Sequence, residues 1–218
     1  MPSPAATVAR VSFEGSLCQT LTGTGDLVAT FDTVFVPAFN SQYSTPLSPD
    51  GERLYVGTWR RGLFCYDTRS GEILWRQGPG KVRQVDVVGA DVIIEMADRG
   101  VYRRNARTGE LLGQVKMGSI DAFFRIDSRR VFVGPKRGQY FVLSIPDLCA
   151  THVIPAEVLN PDRCLSFTLL EAYSAGASII VSGWEQYPNM QYTEGPQEKF
   201  TRGVFLDEFV VRDGPMRL

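Results

Sequence analysis

The chain has 218 residues, of which 44% are hydrophobic and 22% are charged, an ordinary composition for a globular protein. Its formal net charge is −1, which provides no overall field to draw it onto nucleic acid or an anionic membrane. No stretch approaches the roughly 18 apolar residues of a membrane span, and the N-terminus lacks the apolar core of an export signal. We therefore expect a cytoplasmic protein with neither a nucleic-acid nor a membrane partner.

The predicted elements are short β-strands from one end of the chain to the other. The first strand covers residues 7–14 and has no evident local partner, so we expect it to pair with the C-terminal strand. Later β-rich runs are separated by turns rich in Gly, Asp, Ser and Pro, and no long amphipathic helix interrupts them. This pattern predicts an antiparallel all-β fold.

An arginine-glycine pair between two apolar runs recurs along the chain. The glycine of this pair is Gly62, and it returns after 38 residues at Gly100 and after another 38 at Gly138. A period of about 40 residues is typical of four-stranded β-propeller blades. We predict one domain, 1–218, that forms a small five-bladed propeller closed by its terminal strands. The predicted blades cover residues 15–46, 47–84, 85–121, 122–164 and 165–218.

Residues 65–75, CYDTRSGEILW, resemble the tryptophan-docking motif A-x-D-x-x-T-G-x-x-x-W of quinoprotein-like, PQQ-repeat propellers. Cysteine replaces the small alanine, and serine replaces threonine. The resemblance implies that Asp67, Ser70 and Gly71 shape a turn while Trp75 packs against the neighbouring blade. These four residues are therefore expected to be structural.

The other repeats match this motif less well. The next one keeps Thr108 and Gly109, but Asn105 stands in place of the aspartate and Gly113 in place of the tryptophan. The fourth, around residues 144–148, is closer to the looser WD40-like pattern. The resemblance thus supports a PQQ-repeat or WD40-like propeller architecture.

The chemistry of the quinoprotein enzymes is not expected here. Those enzymes carry a calcium-assisted cofactor site with a disulfide between adjacent cysteines, and this chain has no adjacent cysteine pair. Its single histidine, His152, excludes a histidine-clustered metal site. We expect no cofactor, no metal and no enzymatic activity. The four cysteines are expected to be reduced, with disulfide bonding as the alternative.

Two groups of residues are candidates for binding a partner. The first is a basic rim of arginines near the repeated glycines, which would contact an acidic surface: Arg60, Arg61, Arg99, Arg137 and Arg202. The alternative for these is an exposed turn with its charge in water. The second is an aromatic insertion over residues 183–201, which contains Trp184, Tyr187, Met190 and Tyr192. Trp59, in the central hairpin, would lie on the same rim and could join this patch. Such residues are enriched at protein interfaces, although they could also pack onto the fold or extend a hairpin.

These features predict a non-enzymatic protein-binding propeller. Its partner would be a toxin or another effector with an acidic or apolar patch, which makes the chain an inhibitor of the immunity type or a scaffold. The alternative is a lectin-like propeller that binds a glycan or a small molecule. In that case aromatic residues should recur at equivalent positions, and Trp59, Trp75 and Trp184 do not.

Overall fold

The computed structural model describes residues 7–33, 46–96, 100–118, 120–135, 138–161, 166–186 and 197–211. As predicted, these residues form an all-β fold of small antiparallel sheets. The chain divides into two compact units, Met1–Ala97 with Val101–Gln114 and Asp98–Gly100 with Val115–Leu218. The single domain over 1–218 stays a prediction.

The first unit contains three sheets. Two residues at strand ends of the third sheet, Gly100 and Val115, are grouped with the second unit. The first sheet consists of β1 Arg10–Glu14, β2 Leu17–Leu21 and β3 Leu27–Asp32. The second consists of β4 Arg53–Thr58, β5 Gly62–Asp67 and β6 Ile73–Gln77. The third consists of β7 Val82–Val88, β8 Asp91–Met96, β9 Gly100–Asn105 and β10 Leu111–Val115.

The second unit contains two sheets. One consists of β11 Ile120–Arg125, β12 Arg130–Pro135, β13 Tyr140–Ser144 and β14 Ala150–Ile154. The other consists of β15 Ser166–Ala175, β16 Ser178–Gln186 and β17 Gln197–Phe205. The short helix α1 covers Ala156–Leu159, and a 3-10 helix covers Leu206–Phe209. Among the described residues, no helix is long and apolar enough to cross a membrane.

The N-terminal strand has a local partner, so the expectation that it has none is wrong. Strand β1 pairs antiparallel with β2 along its whole length. Gly15 has a φ of +64°, a backbone conformation that favours glycine, and it makes the tight turn between the two strands. Closing so short a loop costs far less chain entropy than pairing with the opposite end of the protein.

The described C-terminal residues pair with β14, whereas the sequence predicted that they would pair with the N-terminal strand. The backbone N–H of Val211 donates a hydrogen bond of 3.0 Å to the carbonyl of Thr151, and Val210 forms an isolated bridge with His152. These contacts place the end of the described chain beside β14, in the second unit.

Three of the five sheets have three described strands where four were expected. In the second sheet, the edge beside β4 is occupied by Leu47, which forms an isolated bridge with Leu54. Residues 34–45, which precede this bridge, lie outside the described residues. The strands β7 and β11 begin at Val82 and Ile120, so the third and fourth sheets start before residues 85 and 122.

The second sheet is buried on both faces, and this explains its continuous apolar strands. Alternate side chains of β4 and β5 point to opposite faces. Those on one face pack with Cys18 and aromatic residues of the first sheet: Leu54, Val56, Phe64 and Tyr66. Those on the other face pack with valines of the third sheet: Tyr55, Leu63 and Cys65. In the second unit, a separate core joins the two sheets there around Phe132, Val142, Ile154, Ile179 and Val181.

Candidate functional site

The turn between β4 and β5 carries the exposed residues Trp59, Arg60 and Arg61 and is held by a buried threonine. Thr58 is only 2% exposed. Its hydroxyl donates a hydrogen bond of 2.8 Å to the carbonyl of Gly62 and accepts one of 3.0 Å from the backbone N–H of Arg61. The turn is therefore closed from the inside, and its aromatic and basic residues project from a fixed backbone.

Gly62 joins this turn to the segment that follows β6. Its N–H donates a hydrogen bond of 2.9 Å to the carbonyl of Gly80, and Arg61 forms a parallel bridge with Gly80. Gly62 has a φ of +90°, and a Cβ there would collide with the carbonyl of Gln77. Glycine is thus required at this position, both for its backbone angle and for the close approach of the two segments.

The contact between the two segments brings a lysine onto the exposed tryptophan. The Nζ of Lys81 lies 3.4 Å from the centroid of the Trp59 ring, in a cation–π arrangement. Trp59 remains 46% exposed. The two residues form an aromatic and cationic pair at the end of the second sheet, in which Trp59 is exposed and Lys81 is half-buried.

A cavity of about 380 Å³ opens at the same end of the sheet. The described residues that line it are Arg61, Phe64, Arg76, Gly78 and Pro79. Phe64 and Arg76 are cross-strand partners on β5 and β6, so their side chains share one face of the sheet. The cavity thus has two arginines and an aromatic wall. We call the cavity, together with Trp59 and Lys81, the cationic-aromatic site.

The charged side chains in the two segments that form the cationic-aromatic site are all positive. Residues 58–64 and 76–83 contain four arginines and one lysine, with no aspartate or glutamate. Because the whole chain has a net charge of −1, this concentration of positive charge is local. Such a surface favours an anionic group over a neutral one.

The motif turn after β5 is organised by Asp67. Its Oδ1 accepts hydrogen bonds from the N–H of Ser70 at 2.8 Å and of Arg69 at 3.0 Å, and another from the hydroxyl of Ser70 at 3.0 Å. The pKa of Asp67 lies below its ordinary value, and the main cause is the hydrogen bond from the Ser70 amide. Gly71 completes the turn with a φ of +73° and donates its N–H to the carbonyl of Asp67 at 3.0 Å.

Trp75 packs against the turn of the next repeat. Its Nε1 donates a hydrogen bond of 3.2 Å to the carbonyl of Ala106, which also accepts one of 3.0 Å from the hydroxyl of Tyr55. A Cβ on Gly109 would lie 2.7 Å from the Trp75 ring. The missing side chain of Gly109 therefore makes room for the indole.

Phe31 has the corresponding place one repeat earlier, and sequence reasoning missed it. A Cβ on Gly71 would lie 2.5 Å from Phe31, just as one on Gly109 would meet Trp75. Phe31 also stacks on Tyr66, with ring centroids 6.0 Å apart. The sequence signal that could have identified Phe31 is its position near the end of β3, one repeat before the motif glycine that it contacts.

The remaining candidates of the basic rim have different surroundings. Arg202 donates a hydrogen bond to the carbonyl of Leu159 at the end of α1, and its guanidinium lies 4.6 Å from the centroid of the Phe200 ring. These contacts engage its side chain inside the second unit. Arg99 and Arg137 lie outside the described residues.

The aromatic insertion is described only at its edges. Trp184 is 39% exposed and lies on β16, opposite Lys199 of β17, so both strands extend into the predicted insertion. The other three candidates of this group lie outside the described residues: Tyr187, Met190 and Tyr192.

His152 has a structural environment in the second unit. Its Nδ1 lies 2.9 Å from the hydroxyl of Thr151. Burial, followed by the charge of Arg130, lowers its pKa below the ordinary value, while Asp207 acts in the opposite direction. Among the described residues, no group of three or more His, Cys, Asp or Glu side chains is arranged to hold a metal ion.

The described cysteines are free thiols inside the fold. Burial raises the pKa of Cys18 to about 11 and that of Cys65 to about 12. Cys149 is also buried, and Cys164 lies outside the described residues. Thiols of this kind act as small hydrophobic side chains.

Two computationally designed proteins have crystal structures similar to this fold. The likeness to the Ika4 protein has a TM-score of 0.51 at 14% identity and covers 72% of this chain and 88% of that one. The likeness to the Ika8 protein has a TM-score of 0.54 at 12% identity and covers 85% of this chain and 59% of that one. At such identities the likeness concerns the fold alone.

The sequence comparisons agree with the repeat motif. No curated protein matches this chain. A family model described as "Outer membrane protein assembly factor BamB" matches residues 11–153, more than half of the chain, and it represents a PQQ repeat. The chain therefore belongs to this BamB-like PQQ-repeat family, as the docking motif predicted.

Proposed function

We propose that the chain is a non-enzymatic, protein-binding β-propeller whose five sheets are its blades. It binds a partner protein through the cationic-aromatic site at the end of the second sheet. The observation that carries this proposal is the exposed Trp59, paired with the half-buried Lys81, beside a cavity lined by two arginines. The partner is an effector or toxin, which the chain inhibits, or a component that it scaffolds.

The composition of the site supports binding to a protein. Tryptophan and arginine are the residues most enriched among the energetic centres of protein interfaces. Here they lie on a turn whose backbone is fixed by Thr58 and Gly62, so little backbone conformational entropy is lost when a partner binds. The family description names an assembly factor and no chemical reaction, which agrees with a role in binding.

The lectin-like alternative is less well supported at this site. Sugar-binding aromatic side chains offer an open ring face to the sugar, and Lys81 covers one face of Trp59. A glycan function also needs equivalent rings in other repeats. The strand positions of Trp75 and Trp184 differ from the turn position of Trp59.

A pull-down from the native cell tests the proposal. The baits are the wild type, the variant Trp59→Ala/Lys81→Ala, and Arg107→Ala as a control from another exposed turn of the same unit. We expect one stoichiometric partner with the wild type and the control, and loss of that partner with the double variant. All three baits must have the same circular dichroism spectrum. A partner retained by the double variant, or no partner for any bait, would refute the proposal.

The aromatic group around Trp184 is a proposed second contact surface. The variant Trp184→Ala separates the two surfaces because Trp184 belongs to the second unit and Trp59 to the first. If both surfaces contact one partner, each variant weakens capture. If only the cationic-aromatic site does, the Trp184 variant captures as much partner as the wild type.

A further inference from the structure

We infer that the cavity between Arg61 and Arg76 receives a carboxylate of the partner, so that the partner presents an acidic segment to this chain. This inference rests on the proposed function and specifies the chemistry of its ligand. It is carried by three features of the cavity: the charge of its lining, the apolar part of its wall and the rigidity of its backbone.

The charge of the lining selects an anion. Among the described residues that line the cavity, the two charged ones are arginines, and an arginine presents five N–H donors in a planar fork that matches a carboxylate. Because each fork has several donors, an arginine that contacts a neighbouring group can also contact a carboxylate. Lys81 adds a further positive charge at the same end of the sheet.

The wall selects an anion that carries hydrocarbon. Phe64, which is only 4% exposed, lines the cavity together with Pro79, and both residues are apolar. The methylene groups of a glutamate side chain, or an apolar residue beside an aspartate, could cover these surfaces while the carboxylate contacts the arginines. An inorganic anion would leave the apolar wall uncovered.

The backbone around the cavity is fixed before any ligand arrives. Thr58 closes the turn that carries Arg61, and Gly62 ties that turn to Gly80 in the segment carrying Gly78 and Pro79. Binding then orders few groups other than the two arginine side chains, which favours a specific contact over a diffuse attraction.

Nucleic acid is the competing polyanion, and the site suits it less well. Single-stranded nucleic acid is bound by a groove with several aromatic rings on which successive bases stack. At this end of the sheet, Trp59 is the one exposed ring among the described residues, and Lys81 lies on one of its faces. The cavity is also local, whereas a nucleic-acid groove follows the backbone of its ligand.

Fluorescence anisotropy with a labelled peptide tests the inference. The probe is a fluorescein-labelled peptide of alternating glutamate and glycine with one central leucine, and its control has glutamine in place of every glutamate. The proteins are the wild type, Arg61→Gln, Arg76→Gln and the control Arg107→Gln, which changes an exposed turn arginine of the same unit. Unlabelled oligothymidylate and inorganic phosphate are the competitors.

We expect the glutamate peptide to bind and the glutamine peptide not to bind. Each cavity variant should weaken binding by about tenfold or more, since a hydrogen bond to a charged group is lost, and the control should match the wild type. Equal binding by all four proteins, or no binding of the glutamate peptide, would overturn the inference. Displacement of the peptide by oligothymidylate or phosphate at equal concentration would also overturn it, because the site would then accept any anion.

The two proposals can fail separately. A partner that is lost with the Trp59 and Lys81 variant, but binds Arg61→Gln and Arg76→Gln normally, refutes the carboxylate inference and leaves the binding function intact. A peptide that behaves as expected, with no partner captured from the cell, refutes the proposed function instead.

Discussion

Because Gly109 contacts Trp75, we expect two glycine substitutions in the first unit to lower the free energy of unfolding by clearly different amounts. Gly109 and Gly15 have similar positive φ angles, +74° and +64°. A Cβ on Gly109 would lie 2.7 Å from the Trp75 ring, whereas a Cβ on Gly15 would meet nothing within 4 Å. The two positions therefore share the backbone penalty of an added side chain and differ in packing.

The magnitudes follow from these two effects. An alanine forced into the left-handed region costs about 1–2 kcal/mol, which is the expected loss for Gly15→Ala. Gly109→Ala adds the cost of overpacking, about 1–3 kcal/mol, for a total loss of about 2–5 kcal/mol. Urea unfolding followed by far-ultraviolet circular dichroism measures both free energies of unfolding.

A double-mutant cycle shows whether the tryptophan is responsible. In a Trp75→Ala background the ring is absent, so Gly109→Ala should cost only about the 1–2 kcal/mol of the backbone penalty. Equal losses for Gly15→Ala and Gly109→Ala in the wild-type background would refute the docking of Trp75 on this glycine. So would a cost of Gly109→Ala that is unchanged when Trp75 is removed.

Three further predictions concern buried or half-buried side chains. Leu148 has a φ of +55° and is 1% exposed. The substitution Leu148→Gly should gain about 1–2 kcal/mol of stability from relieved backbone strain and lose more because the side chain leaves the core empty. Thermal unfolding of this variant should therefore show a lower midpoint. Because the pKa of His152 is lowered, its contribution to stability is complete above the ordinary value of 6.5 and is lost as the pH falls through the folded-state value. Unfolding curves of His152→Gln should lack this part of the pH dependence, and an unchanged profile would contradict it. Cys18 and Cys65, whose raised pKa values keep them protonated, should react with a thiol reagent only after unfolding, and rapid modification of the folded protein would contradict their burial.

The repeat motif carried most of what could be predicted about the fold. The turn at Asp67 depends on a side-chain oxygen that accepts hydrogen bonds from two following amides, and such local geometry is encoded locally. Asn105 makes the equivalent contacts, at 2.9 Å to Arg107 and 3.0 Å to Thr108, because its Oδ1 is also an acceptor. The substitution of aspartate by asparagine therefore preserves the turn.

Other parts of the fold have no comparable local signal. Leu148 takes the place of the motif glycine in the fourth repeat, where its N–H donates to the carbonyl of Ser144 at 2.8 Å. A leucine at positive φ cannot be predicted from the residue type, which disfavours that conformation. The hairpin of β1 and β2, by contrast, has a local signal and could have been predicted, since Gly15 separates two alternating apolar runs.

The candidate site was predicted only in part, because it depends on contacts between distant segments. Arg61 and Trp59 were candidates, but nothing in the sequence places Lys81 on the tryptophan or Arg76 in the same cavity. For the same reason, the contact of Arg202 with Leu159 could not be distinguished from an exposed arginine of the basic rim.

Hydrogen exchange on the complex with its captured partner tests the central claim most directly. We expect binding to slow amide exchange at residues 59–61 and at Gly78, Gly80 and Lys81, around the cationic-aromatic site. These residues should be more strongly protected than those of other turns in the first unit. Protection confined to other surfaces, with unchanged exchange at residues 59–61 and at Gly78, Gly80 and Lys81, would contradict binding through this site.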